Sequence, residues 1–102
     1  MSGHDVRRLE LSRDADRDLE RLLIWGTSQF GEVAADRYYF SFQTTFDLLI
    51  LHPHAGARYE EIDGDLRVVR HKSHRVFYLV QVERVLIVRV LHQAMDAPRW
   101  LE

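Results

Sequence analysis

The sequence predicts an α+β fold of element order β-α-α-β-β-β, with an antiparallel helical hairpin packed on a small, mainly antiparallel sheet and a short helix at the C-terminus. Three observations predict it. Apolar residues recur at three-and-four spacing from Ala15 to Leu49, the period of amphipathic helices. A single glycine, Gly31, separates the two helical stretches, which allows a tight reversal and no more. From Leu66 onward the pattern turns to alternating β-branched and aromatic residues, the period of strands.

Val6 to Leu11 has the length and the Leu9/Leu11 alternation of a first strand. Ser12 follows as an N-cap, with Asp14, Asp16 and Asp18 in the first turns, where the positive end of the helix dipole favours carboxylates. Ala15, Leu19, Leu22, Leu23 and Phe30 form the buried stripe of the first helix. The second helix runs from about Glu32 to about His52, on the spacing of Ala35, Tyr38, Phe42, Phe46 and Leu49, and Pro53 stops it. Asp63-Gly64 marks a turn. Strands then span Leu66 to Arg70, Arg75 to Val82 and Val85 to His92, the last two joined as a hairpin. Val76, Tyr78, Val80 and Val82 share one face while Arg75, Phe77, Leu79 and Gln81 share the other, so both faces are partly apolar. Asp96 to Leu101 supplies a final helical turn.

Residues 1–102 read as one domain, without linker, repeat or low-complexity segment. With 46% hydrophobic and 29% charged residues the composition is that of a globular protein with a modest core. The absence of cysteine excludes a disulfide framework and a thiolate zinc site. No apolar run suits a bilayer, and Met1 to Asp5 lacks the features of a leader, so a cytoplasmic location with no membrane partner is expected.

A net charge of −2 argues against a general nucleic-acid binder, yet the charges are segregated. Arg13 to Asp63 holds ten acidic and five basic residues, whereas Arg67, Arg70, Lys72, Arg75, Arg84 and Arg89 are opposed only by Glu83. As a set the latter predict a positive face. The pairs His52-x-His54 and His71-x-x-His74 lack a third ligand of suitable type, so no metal is expected and the histidines are read as residues of a polar surface. Ser12, Ser28, Ser41 and Ser73 show no nucleophile elbow, no phosphate-cradling glycine loop occurs, and no cofactor is expected. Trp25, Tyr38, Tyr39, Phe40 and Phe42 are too many for one buried stripe, because residues 38, 39 and 40 point in successive directions. Some must be exposed.

Four segments together resemble the ParE toxins of the ParE/RelE superfamily of toxin–antitoxin systems, over nearly the whole chain. They are Leu9 to Leu19; Phe30-Gly31 followed by Ala34 and Ala35; the loop His52-Pro53-His54-Ala55-Gly56, similar to the family's Pro-x-x-Gly; and His74 to Tyr78 followed by Ile87 to Asp96. The resemblance implies a toxin that poisons DNA gyrase and is held inactive by a cognate antitoxin of the ParD-like, ribbon-helix-helix kind, as a hetero-oligomer, without sequence-specific nucleic-acid binding of its own. The surplus aromatics of the helices suggest antitoxin contacts at Trp25, Tyr39, Phe40 and Phe42, with packing on the sheet as the other reading of Phe42. Target contacts fall at Arg67, Arg70, Arg89, His92, Met95, Asp96, Arg99 and Trp100. The sister RelE branch cleaves messenger RNA, and in that alternative His74, Arg89 and His92 would supply proton transfer and positive charge. A binding-only homologue is the third possibility. Lys72 is the only lysine, unlike the lysine-rich surface of many RelE-like nucleases, which favours the gyrase inhibitor and a non-catalytic protein.

Overall fold

Ser12 decides where the first helix begins. Its backbone is extended (φ −65°, ψ 163°), its hydroxyl oxygen accepts from the Ala15 N–H and its hydroxyl proton goes to the Val88 carbonyl at 2.7 Å. One side chain therefore caps helix α1 (Arg13–Phe30) and ties it to strand β5 (Arg84–His92). The structure is a computed structural model that describes residues 7–101. Strand β1 (Arg8–Leu11) precedes the cap; Val6, where the sequence reading starts this strand, lies outside the described residues.

Gly31, at φ 89° in a region that favours glycine, turns the chain from α1 into α2 (Glu32–Leu51). A two-residue strand β2 (Ala57–Arg58), absent from the sequence reading, follows the loop. Then come β3 (Arg67–His71), β4 (His74–Val80) and β5. A short helix α3 (Ala97–Leu101) ends the described chain. The sheet order is β1-β5-β4-β3-β2, with β1 parallel to β5 and every other pair antiparallel. The α+β architecture and its order are as predicted, with β2 added. The β4–β5 turn comes earlier than expected, because the Gln81 N–H bonds the Arg84 carbonyl and leaves Val82 and Glu83 at the tip, Val82 90% exposed.

Both sheet faces are covered. Val76, Tyr78, Val85, Ile87 and Val90 pack under Leu19, Phe42 and Leu49 of the hairpin. Phe77 and Leu91, on the opposite face, pack with Leu66 and Ala97, so α3 closes a second, smaller core. An irregularity in register at Phe77/Tyr78 leaves the alternation of β4 intact while β5 takes up the extra residue.

The Pro-x-x-Gly loop has a direct physical cause. The buried Tyr78 hydroxyl donates to the Pro53 carbonyl at 2.7 Å and accepts from the Gly56 N–H at 2.8 Å. A Cβ at residue 56 would lie 2.7 Å from that hydroxyl and 2.7 Å from the Val68 carbonyl oxygen. Among the described residues no helix is long and apolar enough to cross a membrane. We predict that Tyr78→Phe, which strands the Gly56 N–H, lowers unfolding free energy by about 1–3 kcal/mol in urea titration. Gly56→Ala should be destabilising as well, since backbone must move. Wild-type midpoints for both variants would refute this account of the loop.

Candidate functional site

Between the helical hairpin and the far ends of β4 and β5 lies a groove of about 850 Å³. Leu22, Trp25 and Phe30 of α1 form one wall, and Ala34, Ala35 and Tyr38 of α2 the other, with His74, His92 and Met95 at the sheet end. The small Gly26, Ala34 and Ala35 leave the space that larger side chains would fill. Trp25 and Phe30 are 59% and 66% exposed and meet edge to face with ring centroids 5.6 Å apart. Two large apolar side chains are thus held in water by the fold.

The base of the groove is polar. The Tyr38 hydroxyl lies 2.7 Å from His74 Nδ1, and burial raises the pKa of the phenol; in the His74 tautomer protonated at Nε2 the phenol donates to Nδ1. Behind it, His71 is 8% exposed and stacked near Phe42 at 4.2 Å between centroids. Ser41 donates its proton to the Tyr38 carbonyl, so His71 Nε2–H donates to the Ser41 oxygen at 2.8 Å while Thr45 donates to Nδ1 at 2.7 Å. His71 is therefore a buried, neutral link between β3 and α2 and not a residue of the polar surface, correcting the sequence reading. Burial pulls its pKa down, with the Lys72 charge adding to the effect. His74, held down to about 4 by burial and by neighbouring histidines, sits 5.2 Å from the His92 ring. The exposed His92 accepts from the Ala94 N–H through Nδ1 at 3.0 Å.

Arg89 is bound up elsewhere. Its guanidinium meets Asp18 through two bonds of 2.8 Å each, with side-chain exposures of only 13% and 8%, and also donates to the Trp100 carbonyl at 2.7 Å. Asp18 additionally accepts from the Val90 N–H at 2.9 Å. Sequence reasoning saw Asp18 only as a helix-dipole carboxylate. Its position, three residues after buried Ala15 and four before Leu22, was the available signal that it lies beside the buried stripe.

The expected positive face does not form. Arg84 pairs with Glu10 at 2.7 Å, Arg89 with Asp18, and Arg67 turns to the Gly56 carbonyl at 2.7 Å. Arg75 reaches the Met95 carbonyl at 2.9 Å, which fixes the segment before α3. Arg70, Asp96, Arg99 and Trp100 are exposed, and Arg89 lies 5.9 Å from the centre of the Trp100 ring. Of the helical aromatics, Trp25 lines the groove. Phe42 is 1% exposed and part of the core, so it offers no contact surface, because its three-and-four spacing with Ala35, Phe46 and Leu49 keeps it on the buried stripe. Tyr39 packs partly on the core and Phe40 faces outward from α2, so neither joins the groove.

Residues 9–97 match the family model described as the ParE toxin of type II toxin–antitoxin system, parDE. Toxin ParE1 of Caulobacter vibrioides is 38% identical over 92 residues, 90% of this chain and 95% of the relative. Among solved structures, the chromosomal ParDE toxin–antitoxin system of P. aeruginosa aligns with TM-score 0.76 at 19% identity, covering 86% of this chain and 97% of that one. The RelBE2 complex of Mycobacterium tuberculosis aligns with TM-score 0.67 at 19% identity, covering 93% and 100%.

Two predictions follow from the buried polar groups. A free histidine titrates near 6.5 and His74 near about 4, so between these values the unfolded chain takes a proton that the folded one refuses. Stability should fall as pH drops from about 6.5 towards about 4. His74→Gln should remove part of that loss, measured as urea midpoints across the window. Identical pH profiles would exclude His74. Asp18→Asn leaves Arg89 uncompensated and should cost roughly 3–5 kcal/mol of stability by the same titration.

Proposed function

The chain belongs to the ParE toxin family and is the toxin of a type II toxin–antitoxin system; from that premise we propose that it arrests growth by binding DNA gyrase, and that a ParD-like antitoxin silences it by laying an amphipathic helix in the groove. The observation that carries this reading is the groove itself. Its walls are apolar, it is open to solvent, and Trp25 and Phe30 stand in it as anchors of the kind that dominate protein interfaces.

Contact with gyrase is assigned to the exposed residues around α3, namely Arg70, Asp96, Arg99 and Trp100, with Met95 and His92 where that surface meets the groove. Arg67 and Arg89 contribute through their bonds to Gly56 and Asp18, as supports and not as free cations. The His74–His92 pair is a feature that suits a ribonuclease of the RelE type, since two imidazoles with ring centroids 5.2 Å apart resemble an acid–base pair. Against it stands the neutralised Arg89, which is the cation such a site would use on a phosphate. A binding-only homologue would keep the groove and lose the gyrase contact.

Trp25→Ala should weaken the complex with the cognate antitoxin at least tenfold, as the loss of a large buried apolar side chain worth about 1.5–3 kcal/mol requires. With purified gyrase and relaxed plasmid, the intact protein should inhibit supercoiling, and His92→Ala should still inhibit, weakened by no more than the loss of one surface contact. Combined replacement of Arg70, Arg99 and Trp100 by alanine should abolish inhibition. Loss of activity in His92→Ala with unchanged gyrase affinity, or messenger cleavage on ribosomes, would reverse the assignment.

A further inference from the structure

The outer face of α2 carries a second apolar feature, separate from the groove. Val33, Phe40 and Leu51 are 72%, 68% and 74% exposed, and Leu48 beside them is 41% exposed. Arg37, Thr44 and Asp47, also exposed, complete a single stripe of Val33, Arg37, Phe40, Thr44, Asp47 and Leu51. The steps along it are 4, 3, 4, 3 and 4 residues and average 3.6, the period of the α-helix, so the stripe runs straight along the side of α2 remote from Ala35, Phe42 and Leu49. That order of steps is the same read in either direction. A seam with this property matches an antiparallel copy of itself.

The residue types match as well as the spacing. Pairing the stripe with its own reverse joins residues whose numbers sum to 84. Val33 then meets Leu51 of the second copy, Phe40 meets Thr44, and Arg37 meets Asp47. Apolar ends meet apolar ends, and the two charged positions meet with opposite sign. In the single chain neither Arg37 nor Asp47 takes part in an ion pair among the described residues, and the Gln43 amide bonds one oxygen of Asp47 at 2.9 Å. Phe40 is held edge to face on Tyr39 at 5.2 Å, which fixes the ring near the centre of the stripe.

We propose that this face of α2 is a self-association surface, on which two copies of the chain pair antiparallel about a two-fold axis between Phe40 and Thr44. The surface is independent of the groove, so each bound toxin presents its groove to an antitoxin separately. A second copy is the occupant because Arg37 and Asp47 lie five residues either side of the centre with opposite sign, so each charge of one copy meets its complement on the other.

Sedimentation velocity on the full chain across a concentration series tests this. Wild type should shift from monomer to dimer, and Phe40→Glu should weaken dimerisation at least tenfold with an unchanged circular dichroism spectrum. Arg37→Asp should weaken it by placing two carboxylates in one layer, and adding Asp47→Arg to the same chain should restore the wild-type constant within about threefold. Orientation is tested separately. The chain has no cysteine, and residues 33 and 51 of one helix are about 27 Å apart. Val33→Cys combined with Leu51→Cys should give a disulfide-linked dimer under mild oxidation, while neither single variant should. A toxin that stays monomeric throughout, or a charge swap that restores nothing, overturns the proposal. So does a Phe40→Glu variant that lowers antitoxin affinity while the free toxin remains monomeric, which would assign the stripe to the antitoxin. Failure of the Trp25→Ala or gyrase experiments would leave this result standing.

Discussion

Strand β5 is longer than the strand beside it. The four residues of β1 pair with Arg84 to Ile87, and past that point the outer edge of the central hairpin has no strand to bond it. An open edge is a row of unpaired backbone groups, costly when covered by side chains and prone to pairing when not. The start of α1 solves this without a further strand. The Ser12 N–H and hydroxyl bond the carbonyls of Ile87 and Val88, and Asp18 accepts from the Val90 N–H while holding the Arg89 guanidinium. Charge is needed in that last position because the carboxylate must serve a backbone donor and a cation together.

The groove depends on that fastening. With the N-terminal half of α1 fixed to β5, the hairpin can meet the sheet at its other end only through α2, and there the contacts are Tyr38 to His74 and Ser41 and Thr45 to His71. These hydrogen bonds are directional and hold α2 at one height over the sheet, whereas apolar packing alone would let the helix slide. Small residues at 26, 34 and 35 leave that space unfilled by the chain's own side chains. The groove is thus bounded by an ion pair at one end of α1 and a histidine network under α2. Its opening does not require a mobile segment.

What was legible in the sequence follows from range. The cap at Ser12, the reversal at Gly31, the helix stop near Pro53 and the β4–β5 hairpin are local, and period and turn chemistry suffice for them. The parallel β1–β5 pair joins residues more than seventy positions apart and left no local mark. The same holds for the site. Trp25 could be picked out as a surplus aromatic, but its meeting with His92 and Met95 in one groove depends on how the hairpin lies over the sheet. The basic residues misled because counting by segment ignores that alternate strand positions face opposite ways. Arg67 bonds to the loop before β2, while Arg70 and Arg75 reach towards the segment before α3.

A fold shared by ParDE and RelBE toxin–antitoxin systems cannot by itself select between the two proposed modes of action, gyrase binding and messenger cleavage. Selection rests on which charges remain free to act. General acid–base chemistry at a phosphate needs a proton donor and acceptor near neutrality and a cation whose charge is not already spent. Here His74 is held neutral by the packing that fixes α2, and Arg89 is neutralised by the carboxylate that closes the β5 edge. Both groups are committed to holding the hairpin on the sheet, so releasing either for catalysis would loosen the groove on which the antitoxin interaction is proposed to depend. On the proposed reading the toxin acts through the surfaces it presents, and that makes the distribution of its exposed aromatic side chains more informative about function than its histidine count.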